Sequence, residues 1–165
     1  MNHKLIASVL AAATLAIGNA GATTATSSLT VQVTIVNSCT VTTPTLNFGA
    51  AVNSLIAAIS VSVTGNVTCT GTSPVTVSFS TGAGTYVQRK MTNGAPFVNY
   101  NIYKEAGHIN VLGDGTGATV TIPLTPSGGN VVAANDQFGI FGQTNAGQAV
   151  ANGTYTDTIT ATVTF

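Results

Sequence analysis

The side chains that could do chemistry are few and scattered. Glu105, Asp114, Asp136 and Asp157 are the four acidic residues. Only Glu105 has a charged neighbour, Lys104, and no two carboxylates have the spacing of a general acid and base, so all four read as solvated surface groups. His108 falls in a turn from Gly107 to Asn110, with no Cys or carboxylate placed to activate a nucleophile. The run Gly113-Asp-Gly-Thr-Gly117 has the glycines of a phosphate loop, but no Lys follows it and no helix offers an N-terminus to an anion. Its Asp114-Gly115 pair is turn chemistry. Cys39, Cys69 and His108 make a poor metal set. Asn66-Val-Thr68 and Asn152-Gly-Thr154 fit a glycosylation sequon that arises freely in a chain so rich in Thr and Asn. The expectation is a protein with no catalytic residue, no metal site and no small-molecule cofactor, hence not an enzyme.

The informative elements are those at the two ends. Gly153 to Phe165 alternates Thr with Tyr155, Ile159, Ala161, Val163 and Phe165, interrupted by Asp157, and stops at the carboxylate of Phe165. A strand with no successor needs a neighbour from elsewhere. Near the other end Leu29, Val31, Val33 and Ile35 alternate with Thr30, Gln32 and Thr34, a period of two that gives one apolar and one polar face. A spare strand at the start and an open edge at the finish invite pairing between chains, so polymerisation is the leading functional idea.

His3 and Lys4 precede an apolar run from Leu5 to Ile17, and Ala20-Gly21-Ala22 has the small-x-small pattern of a signal-peptidase site. Residues 1–22 read as a removed signal peptide, with Ala20 as the second choice of site. The alternative, a retained transmembrane anchor, would need a run nearer the roughly 20 residues that span a bilayer. The mature remainder suits one ordinary domain. Its Arg89, Lys90 and Lys104 nearly balance the four acids. So few charges leave no electrostatic route to nucleic acid and no basic amphipathic stretch for a membrane surface. With 5% charged residues the surface is poorly protected against association, which suits a protein meant to assemble. An even cysteine count in an exported chain makes a Cys39–Cys69 disulfide the default.

Beyond Cys39 the chain reads as short β segments separated by Gly, Asn, Pro and Ser clusters, with no helical periodicity. The predicted strands are 39–48, 59–70, 75–81, 98–103, 118–124, 137–142 and 154–165. In Ile59-Ser-Val-Ser-Val63 and Val75-Thr-Val-Ser-Phe79 the odd positions are apolar and the even ones hydroxylic. Seven such strands point to an all-β, immunoglobulin-like antiparallel sandwich. A β-barrel is the alternative. An outer-membrane barrel also ends on an aromatic strand, but its girdles and long lipid-facing strands are not evident in a chain with 6% aromatics and no Trp.

The chain resembles the spore coat protein U family, the pilin subunits of archaic chaperone-usher systems. The resemblance spans the mature chain. It rests on Asn37-Ser-Cys-Thr-Val41, Leu46-Asn-Phe-Gly49, Val67-Thr-Cys69, Pro74-Val-Thr-Val77, Val98-Asn-Tyr-Asn-Ile-Tyr103 and the ending Gly153 to Phe165, in that order after a signal peptide. It implies an incomplete sandwich, residues 37–165, whose last strand is supplied in trans by a neighbouring subunit. The implied donor strand is residues 23–36, with Leu29, Val31, Val33 and Ile35 as its apolar contacts. The implied acceptor groove lies along the last strand, at Tyr155, Ile159, Ala161, Val163 and Phe165. The implied partners are a periplasmic chaperone, an outer-membrane usher and identical or related pilin subunits, and the implied destination is a surface fibre for adhesion and biofilm formation. The family's disulfide falls on Cys39 and Cys69. Alternation alone does not separate donation in cis from donation in trans. The competing readings are a secreted β-sandwich binding module and a spore or cyst coat protein.

Overall fold

The computed structural model describes residues 23–50, 55–131 and 136–165. The signal peptide expected at 1–22 lies outside them. Every strand falls in one compact unit, Ile35–Phe165. In chain order these are β1 (Cys39–Thr42), β2 (Ser60–Cys69), β3 (Val75–Phe79), β4 (Arg89–Thr92), β5 (Phe97–Tyr103), β6 (Val111–Leu112), β7 (Thr119–Val120), β8 (Ile122–Leu124), β9 (Gln137–Thr144) and β10 (Ala161–Thr164). They form two sheets: β1-β2-β9-β5-β6-β7 with β4 also paired to β5, and β10-β3-β8. The all-β sandwich is therefore observed, with one departure from the antiparallel rule, since β6 and β7 run parallel.

The core lies between the sheets, and alternation explains its membership. Val75, Val77 and Phe79 point inward from β3, Val67 and Cys69 from β2, and Phe138 and Ile140 from β9. Gly65 is required where it stands. A Cβ there would fall 2.4 Å from the Phe138 ring opposite, so the aromatic ring fills the space that the glycine leaves.

Three predicted strands are shorter or more divided than expected. The segment read as 39–48 leaves the ladder after Thr42, and Pro44, which has no N–H to donate, lies just beyond. The segment read as 118–124 breaks at Thr121, sending β7 to one sheet and β8 to the other. The segment read as 154–165 joins a ladder only over Ala161–Thr164, against β3, although Thr156 makes an isolated bridge to Thr92. Strands β4 and β6 were not anticipated. Neither Arg-Lys-Met-Thr nor a two-residue Val-Leu carries a readable alternation.

The outer edges of the smaller sheet differ in kind. On β8, Pro123 sits opposite Thr76 and has no N–H to offer a further strand, a common means of closing an edge. On the other side β10 pairs, among the described residues, with β3 alone.

Candidate functional site

Beside β10 no second strand completes the smaller sheet among the described residues. A groove of about 870 Å³ opens there, walled on one side by residues 43–50 and on the other by 150–159 and Ala161. Its floor comes from both sheets and includes Val63, Phe79, Val98, Tyr100, Ile102 and Ile140. Leu46 and Phe48 turn inward from the first wall. Phe48 packs edge-on to Tyr100, ring centroids 5.9 Å apart. Gly142 of β9 admits this wall: a Cβ there would lie 2.4 Å from the Leu46 side chain and 3.0 Å from Phe48. Leu46-Asn-Phe-Gly49 is thus a groove wall and not the continuation of β1.

On the second wall Tyr155, Asp157, Ile159, Ala161 and Val163 are half-buried while the intervening threonines are exposed. Tyr155, Ile159 and Ala161 line the groove. Val163 packs on the core further along β10, and Phe165 is 57% exposed.

Asp157 anchors this wall. The Tyr100 hydroxyl donates to its Oδ2 at 2.6 Å, and the backbone N–H groups of Ala83 and Thr158 donate to its Oδ1 at 2.9 and 2.8 Å. Gly82, at φ 64°, makes room for it, because a Cβ there would lie 2.2 Å from the carboxylate. Asp157 is therefore not a solvated surface group, and neither is Asp136. The latter is fully buried and accepts the Ser127 N–H at 2.7 Å. Sequence reading placed both on the surface because a lone acid in a Thr-rich chain shows no partner. Asp114 is a turn residue, accepting from the Thr116 N–H and hydroxyl, and those bonds hold its carboxyl below the usual range. Glu105 accepts the N–H groups of Ile109 and Asn110 across the His108 turn, and its carboxyl is likewise lowered, chiefly by Asn110. Among the described residues no group of three or more His, Cys, Asp or Glu could hold a metal ion.

Burial, and then the Asp157 hydrogen bond, pushes the Tyr100 phenol far above its ordinary value. Burial raises Tyr103 and Tyr86 as well. A raised phenol pKa means that the neutral form is favoured in the folded state, so this stability is complete below about pH 10 and is lost as pH rises further. Asp157→Ala is expected to cost about 2 kcal/mol by removing charge-assisted bonds, and to bring one tyrosine's ionisation down in an ultraviolet pH titration. Unchanged titration and stability would show that Asp157 does not hold the wall.

Leu29, Val31, Val33 and Ile35 lie in a stretch without strand or helix, and are 87%, 86%, 80% and 90% exposed. The cysteines on which the sequence placed a disulfide, Cys39 and Cys69, are bonded to each other as directly opposed residues of β1 and β2.

A model of the Spore Coat Protein U domain matches residues 25–162. The chain belongs to this family. Spore Coat Protein U domains are structural, non-enzymatic proteins. No curated protein matches this domain in sequence. Among solved structures its fold is similar to that of a chain in the complex of the chaperone CsuC with the tip adhesion subunit CsuE, from archaic chaperone-usher Csu pili of Acinetobacter baumannii. The TM-score is 0.54 at 24% identity, over 80% of this chain and 40% of that one. The present chain thus spans well under half the length of the chain that it matches.

Proposed function

We propose that this protein is a structural pilin subunit, polymerised by donor-strand exchange into a chaperone-usher surface fibre that serves adhesion and biofilm formation. The observation that carries the reading is an open groove with a largely apolar floor beside a singly paired last strand, in a chain that also exposes an alternating apolar segment, Leu29 to Ile35. Each element has what the other needs. Burying those four side chains in a groove would contribute roughly 6–12 kcal/mol, at about 1.5–3 kcal/mol each, and an added strand would satisfy the free edge of β10. Segment and groove belong to the same chain type, so head-to-tail insertion is a heterologous contact that does not close, and its product is a filament.

In this reading residues 1–22 direct export and residues 23–36 are the donor. Residues 37–165 form the acceptor domain, with Tyr155, Ile159, Ala161, Val163 and Phe165 along the acceptor strand. A periplasmic chaperone fills the groove before assembly, and an outer-membrane usher catalyses its replacement by the next subunit's segment. Family membership and the likeness of fold to a chain in a chaperone–subunit complex from chaperone-usher pili support a chaperone partner and the cell surface as the destination.

The test is surface material sheared from producing cells and run on a denaturing gel with and without boiling, for the full chain and for a deletion of residues 23–36. An unboiled ladder at multiples of the mature mass, collapsing on boiling and absent from the deletion, is expected. Stable monomer from both would overturn the reading in favour of a self-contained secreted binding domain.

A further inference from the structure

We infer that Asn37 is a positioning residue, a latch that fixes where the donor segment leaves its own domain and so stiffens the joint between successive subunits. The inference rests on the fibre reading above and concerns a different property, the mechanics of the joint. Asn37 is half-buried beside the 75%-exposed Val36. Its Oδ1 accepts the Gly71 N–H at 2.8 Å and the Thr70 hydroxyl at 3.2 Å. The next residue repeats the attachment through its backbone: the Ser38 N–H donates to Thr70 Oγ1 at 3.0 Å, and the Thr70 N–H donates to the Ser38 carbonyl at 2.9 Å. Asn37 Nδ2 lies 3.8 Å from Cys39 Sγ.

The platform that receives the latch is itself held from a third direction. The Gly129 N–H donates to the Thr70 carbonyl at 3.1 Å and the Asn130 N–H to the Cys69 carbonyl at 3.0 Å. Gly71 is shaped for the contact, since a Cβ there would lie 2.8 Å from Asn37 Oδ1. Three stretches of chain therefore meet at one turn, and the Cys39–Cys69 disulfide closes the pairing immediately beside it.

The consequence is a count of soft bonds. With Ile35 seated in a neighbour's groove and Asn37 fastened to its own domain, Val36 alone lies between two folded bodies. Each residue contributes two soft dihedrals. Releasing Asn37 would make the free joint the two residues 36 and 37, because Ser38 keeps its own backbone bonds with Thr70 and is the next fixed point. A longer flexible joint lets the subunits swing through a wider cone. The chemistry at the latch is that of an acceptor oxygen, so Asp at position 37 keeps both bonds through Oδ1 and Ala keeps neither.

Fibres of the wild type, Asn37→Ala and Asn37→Asp are compared by electron microscopy, with the unboiled gel ladder of each as the measure of polymerisation. The expected result is a ladder from all three, a fall in persistence length of about two-fold or more for Asn37→Ala, and wild-type stiffness for Asn37→Asp. A loss of fold stability alone would not separate Ala from Asp in fibres that give equal ladders. If Asn37→Ala yields no subunit, Thr70→Val carries the same reading, because it removes the hydroxyl that both Asn37 and Ser38 use. Equal ladders with equal stiffness across the variants would overturn the latch and leave the fibre reading intact. A wild type with no ladder would overturn the fibre reading, and the latch with it.

Discussion

Arg89→Leu is expected to destabilise the domain by about 3–5 kcal/mol, enough to remove most of the folded subunit. Arg89 is fully buried. Its Nε and one terminal nitrogen donate to the Ser80 carbonyl at 3.3 and 2.7 Å, and that same nitrogen donates to the Leu112 carbonyl at 2.8 Å. The other donates to Asn101 Oδ1, whose amide nitrogen in turn donates to the Tyr86 carbonyl at 2.8 Å. The guanidinium also lies 5.4 Å from the centre of the Tyr86 ring. Ser80 follows β3 of the smaller sheet, while Asn101 and Leu112 belong to β5 and β6 of the larger, so one side chain ties the two sheets together.

Leucine would fill part of the volume and leave these acceptors without donors. Each orphaned buried polar group costs about 1–3 kcal/mol. Burial lowers the Arg89 pKa, yet arginine stays charged, and its fork reaches in several directions that a lysine ammonium cannot match. Urea unfolding of the purified full chain checks the expectation. A change below about 1 kcal/mol would show that the sheets hold together without this network.

Joint replacement of Cys39 and Cys69 by Ala is expected to cost about 3–4 kcal/mol in the chain-entropy account of a disulfide with sequence separation 30. In a domain of this size that corresponds to a fall in Tm of about 10 °C. The functional loss should exceed what stability alone suggests. Strand β1 is four residues long and pairs with β2 only, and it leads directly into residues 43–50, the first wall of the groove. Without the disulfide β1 is free to fray, and that wall, with Leu46 and Phe48, loses its anchor. A weakened ladder on the unboiled gel is therefore expected beside the lower Tm. A Tm within about 3 °C of the wild type, together with an undiminished ladder, would show that cross-strand pairing holds β1 unaided.

Much of this could be read before any coordinates. Alternation in Val61 and Val63, in Val75, Val77 and Phe79, and in Tyr155 through Val163 assigns inward faces, because successive side chains of an extended chain must point opposite ways. The same rule exposed the donor-like pattern from Leu29 to Ile35. Failures came where a residue's role depends on a distant partner. Arg89 reads as one of three cations that nearly balance the four acids, and only Ser80, Asn101 and Leu112 together make a place where its charge can be buried. Asp157 reads as a flaw in an alternating strand, and only Tyr100 and the backbone at Ala83 make it an anchor.

Local periodicity, composition and cysteine count were enough for the all-β class, the faces of the alternating stretches at 59–63, 75–79 and 155–163, and the disulfide partners. Tertiary structure alone decided that residues 43–50 leave the sheet to wall a groove. It also decided that 118–124 divides between two sheets, that Pro123 closes one edge while β10 keeps another free, and that the groove floor gathers Phe79, Tyr100 and Ile140 from separate strands. The physical reason is one of range. Side-chain direction along a strand is set within two residues, whereas an open edge or a buried charge exists only through what the rest of the chain places, or leaves unplaced, beside it.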